Sequence, residues 1–105
     1  DQNFILLVNL IHLISLDEAR ILIREISLAL ALGGSSIIYG PFKRGGKLTS
    51  PGDDSFHKSL KEADPEIGYK NDEWIIEQFE NTGLTLQNIM KMPANNLAFI
   101  VEKQR

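Results

Sequence analysis

The stretch FILLVNLIHLISLDEARILIREISLALALGGSSIIYG, Phe4 to Gly40, decides the fold, because two apolar runs of strand length flank a segment with helical periodicity. FILLVNL, Phe4–Leu10, lacks polar alternation, the pattern of a parallel strand covered on both faces, and is expected inside a sheet. Ser15 and Glu18 in SLDE have the spacing of a capping box and predict a helix start. Leu22, Ile23, Ile26, Ala29 and Leu30 form its apolar stripe, and Gly33-Gly34 is expected to supply a left-handed stop. SSIIYG, Ser35–Gly40, reads as a second strand. Strand, helix and strand at this spacing make a right-handed crossover between parallel neighbours, so the chain is of the α/β class.

Downstream, Asp53 or Asp54 can cap a helix whose Phe56 and Leu60 share a face, before Pro65 interrupts it. Asn71 can cap another, with Asp72 and Glu73 in its first turn, Ile75, Ile76 and Phe79 inward, and Gly83 at its end. LTLQNIMKM and NLAFIVEK have strand composition, and PANN between them offers a tight reversal. They are expected to form a terminal hairpin whose last strand runs antiparallel to the others.

At 105 residues, 1–105 make a single small domain. Eleven basic against 14 acidic residues give a charge of -3, so neither nucleic acid nor an anionic membrane is an expected partner. The absence of cysteine removes disulfides, thiolate nucleophiles and most structural zinc sites, and a reducing, cytoplasmic setting is expected. FILLVNLIHLISL lacks the basic flank and cleavage pattern of a secretion signal and is too short to cross a bilayer.

The loop between Tyr39 and Pro51, YGPFKRGGKLTSP, joins a strand to a helix start and invites a phosphate-loop reading. The spacing fails: Gly46 follows Gly45, and Lys47 is followed by Leu48 rather than by a hydroxyl residue. Two readings remain from the residues alone. One is a solvated basic loop held by glycine and proline turns. The other is a substrate-side lid at a strand's C-terminal end, with Tyr39 and Phe42 as an apolar wall and Lys43, Arg44 and Lys47 attracting an anionic group.

Four ordered segments, NLIH (Asn9–His12), YGPFKRGGKLTSP, SLKEADPEIG (Ser59–Gly68) and MPANN (Met92–Asn96), resemble the methyltransferase-like 26 family across nearly the whole chain. The resemblance implies the C-terminal half of a Rossmann-like class I S-adenosylmethionine-dependent methyltransferase sheet. The family's N-terminal half, with the first strand, its glycine turn and the acid that holds the ribose, has no counterpart in these residues. Weak or absent binding of S-adenosylmethionine by this chain follows, as does no methyl transfer by the chain alone. Gly52, Asp53, His57, Ile67 and Asn71 depart from the family pattern.

On this resemblance Asn9 and His12 lie beside the cofactor, with His12 a candidate base or substrate contact. Tyr39, Phe42, Lys43, Ser50, Asn95 and Asn96 fall on the substrate side, and the lid reading of the loop is preferred. Against these roles, Asn9 and His12 could simply satisfy the backbone where strand becomes helix, and Asn95 and Asn96 could serve the turn alone. Asp53 and Asp54 are caps more often than an acid–base pair. Trp74 reads as packing, and His12 and His57 lack the spacing of a metal site. An alternative function is a non-catalytic remnant that associates with itself or a partner. A homodimer through Phe4–Leu10 and an uncovered sheet face is expected in either case, because crossovers in one direction leave the other face bare.

Overall fold

A computed structural model of the protein describes residues 1–104. The elements run β1 (Gln2–Val8), a 3-10 turn (Ile11–Leu13), α1 (Leu16–Ala29), β2 (Leu30–Pro41), α2 (Pro51–Ala63), α3 (Asp72–Asn81), β3 (Leu84–Met92), a second 3-10 turn (Pro93–Asn95) and β4 (Asn96–Lys103). They build one sheet in the order β1-β2-β4-β3. β1 and β2 are parallel, from Phe4 opposite Ser35 to Val8 opposite Tyr39. β4 pairs antiparallel with both β2 and β3, so the last strand alone reverses direction, as the sequence predicts.

α1 starts as expected. Ser15 Oγ accepts the Glu18 N–H at 3.1 Å while Glu18 Oε1 accepts the Ser15 N–H at 3.0 Å. Its end differs from the glycine stop. Leu30 is already extended (φ -74°, ψ 138°), because it buries its side chain in the core and opens β2 opposite Gln2. Gly33, at φ 80°, lies instead within the irregularity that separates that pairing from the regular ladder beginning at Ser35. The buried stripe of the helix is Ala19, Ile23, Ile26 and Ser27, while Ala29 is exposed.

α1 and α3 pack on one face of the sheet and enclose Ile23, Ile75, Phe79, Phe99, Ile38 and Val101. Ile5 and Leu7 of β1 join this core, and Phe4, Leu6 and Val8 point the other way, 50, 57 and 48% exposed. The expectation that β1 is covered on both faces is thus corrected. Within this chain β1 is an edge strand with one bare side, since alternate side chains face opposite sides of a sheet. α2 also departs from expectation: none of its residues is buried, and Phe56 is 44% exposed. No helix among the described residues is long and apolar enough to cross a membrane.

Candidate functional site

The C-terminal ends of β1 and β2 lie side by side, and the chemistry of the protein gathers there. Asn9 follows β1 in a left-handed conformation, φ 54°, that asparagine tolerates, and its N–H donates to the Tyr39 carbonyl at 2.8 Å. Its side chain is exposed. His12, in the 3-10 turn, is 6% exposed. Its carbonyl accepts the Gly68 N–H at 3.0 Å, but its ring Nδ1 is buried with no hydrogen-bond partner. The ring therefore does not serve the local backbone. It sits between aromatic rings, 5.8 Å from Phe56 and 6.0 Å from Tyr69 between centroids. Burial, and then the charge of Lys70, hold His12 below its ordinary pKa and keep it neutral at pH 7.

Around this ring lies a hydrogen-bonded group centred on Asp53. Tyr69 donates its hydroxyl to Asp53 Oδ1 at 2.7 Å, and Ser50 Oγ donates to Oδ2 at 2.8 Å. Asn95 Nδ2 and Thr49 Oγ1 complete the set at 3.3 and 3.4 Å. Burial alone would raise the Asp53 carboxyl, but these four donors outweigh it and hold it below its usual range. The Tyr69 N–H donates to His57 Nδ1 at 3.0 Å, which places the proton of a neutral His57 on Nε2. Gly68 makes room for that ring, since a Cβ there would lie 2.8 Å from His57 Cε1.

The residues anticipated on the substrate side divide. Phe42 is corrected: it turns inward, 2% exposed, and meets Phe99 edge-on at 4.9 Å, so it belongs to the core and not to a loop wall. Ser50, rather than Asp53 or Asp54, caps α2, accepting the Asp53 N–H at 3.1 Å. Tyr39 lies on the bare sheet face beside Leu6 and Val8, and its hydroxyl accepts from Asn96 Nδ2 at 3.2 Å. Asn95, at φ 62°, joins the Asp53 group, and its carbonyl takes Arg44 Nη2 at 2.9 Å. Lys43 fixes the loop to the segment before α3, its N–H on the Lys70 carbonyl and its carbonyl on the Asp72 N–H. The structure thus brings Ser50 and Asn95 together around Asp53, leaves Asn9 apart, and removes Phe42.

The glycine loop does not hold open N–H groups toward a ligand. Asn71 Oδ1 accepts the Gly46 N–H at 2.9 Å, and Asp72 Oδ1 accepts the Gly45 N–H at 3.1 Å. Asn71 accordingly occupies the cap position of α3 without a side-chain bond to that helix. Tyr69 and Lys70 were not anticipated. The local signal was a glycine, Gly68, at the end of SLKEADPEIG. It adopts φ 132° at a turn, and the burial of the two residues after it is set by contacts distant in sequence.

A family described as Protein of unknown function (DUF938) matches residues 1–103. The chain belongs to this family. The fold of this DUF938 chain is that of solved methyltransferases. An O-methyltransferase family 2 protein from Planctomyces limnophilus, in complex with apigenin, is 17% identical, with a TM-score of 0.85 over 96% of this chain and 30% of that one. An O-methyltransferase family protein from Burkholderia thailandensis is 16% identical, with a TM-score of 0.83 over 97% and 30%. PigF with SAH is 17% identical, with a TM-score of 0.83 over 96% and 33%. The DUF938 chain therefore has the methyltransferase-like fold, and it spans about a third of the length of these proteins.

The two imidazoles set a pH dependence. His12 and His57 are both held below 6.5, by burial first and then, respectively, by Lys70 and by Lys43. Below that pH the unfolded chain binds more protons than the folded one, so their contribution to stability is full above 6.5 and lost as pH falls through the folded values. The thermal midpoint is expected to drop between about pH 7 and about pH 5.5, and to drop less in the His12→Gln, His57→Gln double variant. An equally steep drop in the double variant would assign the slope to other groups.

Proposed function

We propose that this chain is the acceptor-side part of an S-adenosylmethionine-dependent methyltransferase domain, and that His12 meets the methyl acceptor. The observation that carries this is the position of the His12 ring, just past the C-terminal end of β1, held neutral by burial and then by Lys70, with its Nδ1 shut inside the protein so that only Nε2 is left to meet an acceptor. Open α/β sheets bind ligands beyond the carboxyl ends of their strands. A neutral imidazole there can accept the proton of an acceptor hydroxyl as the methyl group arrives. The four segments that resemble the methyltransferase-like 26 family support the same reading, and the SAH in one fold neighbour supports the cofactor class. The lack of cysteine supports a reducing, cytoplasmic setting.

The residues described do not compose a full cofactor site. Asn9 and His12 offer one wall at the strand end, while the N–H groups of Gly45 and Gly46 are already taken by Asn71 and Asp72. The chain by itself is therefore read as inactive.

A second reading, self-association, is favoured by the bare side of the sheet. Leu6, Val8, Ile37, Tyr39, Met90 and Ile100 line an apolar depression there that runs up to the unpaired edge of β1. A second copy fits this surface, because the edge carries free backbone donors and acceptors that an identical strand satisfies reciprocally. Edge pairing would bring two apolar depressions next to each other in one continuous sheet.

Three outcomes are expected. Calorimetric titration of the 105-residue chain with S-adenosylmethionine should show binding weaker than micromolar, since loss of one charged hydrogen bond weakens a site about tenfold or more. Micromolar binding would overturn the one-wall reading. In a methyltransferase domain that carries this segment, His12→Gln, which keeps most of the buried volume, should lower kcat by about 100-fold or more with a smaller fall in melting temperature than His12→Ala. An unaltered kcat would remove His12 from the reaction. Light scattering of the isolated chain at micromolar concentration should give twice its 11.8 kDa mass, and a monomer would end the second reading.

A further inference from the structure

We propose that the cavity between the start of α1 and the Pro65–Asn71 segment, which shares Tyr69 and Lys70 with the surroundings of His12, binds a small anion carrying a flat apolar group. The cavity measures about 570 Å³, and neither His12, Asn9, Asn95 nor Asn96 lines it. Its walls carry four cations, Arg20, Lys43, Lys61 and Lys70, against two carboxylates, Asp17 and Glu66. Arg20 already pairs with Asp17 at 2.6 Å, the one salt bridge among the described residues. Three ammonium groups and a single unpaired carboxylate therefore line one cavity, in a protein whose net charge is -3.

Lys70 makes the arrangement more than a solvated basic patch. It is 5% exposed, and its Nζ donates only to the carbonyls of Ile14 and Gly68. A buried ammonium is normally matched by a carboxylate. Here no carboxylate is within ion-pair distance, and the third N–H has no protein acceptor. Burial, and then the nearby charge of Lys61, push Lys70 down to about 8 against the weaker opposing charge of Glu18, which does not come within ion-pair distance. Lys61 in turn gives Nζ to the Pro65 carbonyl at 2.8 Å, which holds it over the same cavity. An anionic group placed among these amines supplies the missing charge. Trp74, with Leu16 and Pro65, gives the cavity an apolar wall on which a flat group can lie.

Trp74 is the only tryptophan of the chain, so intrinsic fluorescence reports on this cavity directly. The 105-residue protein titrated at low ionic strength with phenyl phosphate should show a saturable change in Trp74 emission, with inorganic phosphate binding several-fold more weakly. Lys43→Gln with Lys61→Gln, both outside the core, should weaken phenyl phosphate binding about tenfold or more, and Lys70→Met should do the same if it folds. Lys58→Gln, which removes a charge outside the cavity, should leave affinity unchanged. A non-saturable response overturns the proposal. So does wild-type affinity in the Lys43, Lys61 double variant, or an equal loss in the Lys58 variant, which would mark a general charge effect.

Discussion

The Asp53 carboxylate is the constraint on which the strand-end region depends. A partly buried carboxylate is held by its donors, and Asp53 draws them from Thr49 and Ser50 before α2, Tyr69 after it, and Asn95 in the β3–β4 turn. α2 contributes no fully buried residue and packs through Phe56 and His57 against His12 and Tyr69, so these hydrogen bonds to a charged acceptor add to a thin ring contact in holding it. The constraint propagates. Burial, and then Asp53 itself, push the Tyr69 hydroxyl well above its usual pKa, which keeps it a donor. The Tyr69 backbone fixes His57, and the rings of Tyr69 and Phe56 enclose His12. Part of the burial that keeps His12 neutral is thus supplied by a ring that Asp53 holds in place.

Legibility in the sequence followed the range of each interaction. The Ser15–Glu18 capping box and the terminal hairpin were readable because each is fixed by residues close along the chain. The α/β class and the parallel β1–β2 pair followed from periodicity over Phe4–Gly40. The glycine stop at Gly33-Gly34 failed because the burial of Leu30, a tertiary effect, ended α1 earlier. Phe42 failed for the same reason, since a loop aromatic next to a strand end turns into whichever core has space, and Phe99 lies there. In the sequence Asp53 reads as a cap of α2, a place that Ser50 takes, which leaves Asp53 in the first turn. Its link to Tyr69 and Asn95 was not readable, because those partners are distant in sequence.

The two faces of the sheet obey different rules in one sequence. On the helical side, Phe79 and Phe99 meet at 5.8 Å and the buried core gathers between the sheet and α1 and α3. On the other, β1 and β3 present Phe4, Leu6, Val8 and Met90 to solvent. Apolar side chains at both parities of β1 are therefore not redundant. One set closes this domain, and the other forms a contiguous apolar surface of the kind that marks an interaction site.

The glycine loop is a tight turn and not an anion cradle. Gly45 and Gly46, at φ values of 59° and 82°, are the two central residues of a reversal closed by reciprocal backbone hydrogen bonds between Arg44 and Lys47, which leaves their own N–H groups to find other acceptors. Asn71 and Asp72 then fill those donors from within the chain, and Asp72 brings the negative charge that an external anion would otherwise supply. An anion approaching this rim meets satisfied amides and a carboxylate at the loop. The unsatisfied positive charge lies beyond it, on the amines of Lys61 and Lys70. Because an ammonium needs no particular backbone geometry, that charge is independent of the glycine spacing, and the failure of the phosphate-loop pattern in the sequence does not bear on whether this part of the protein attracts anions.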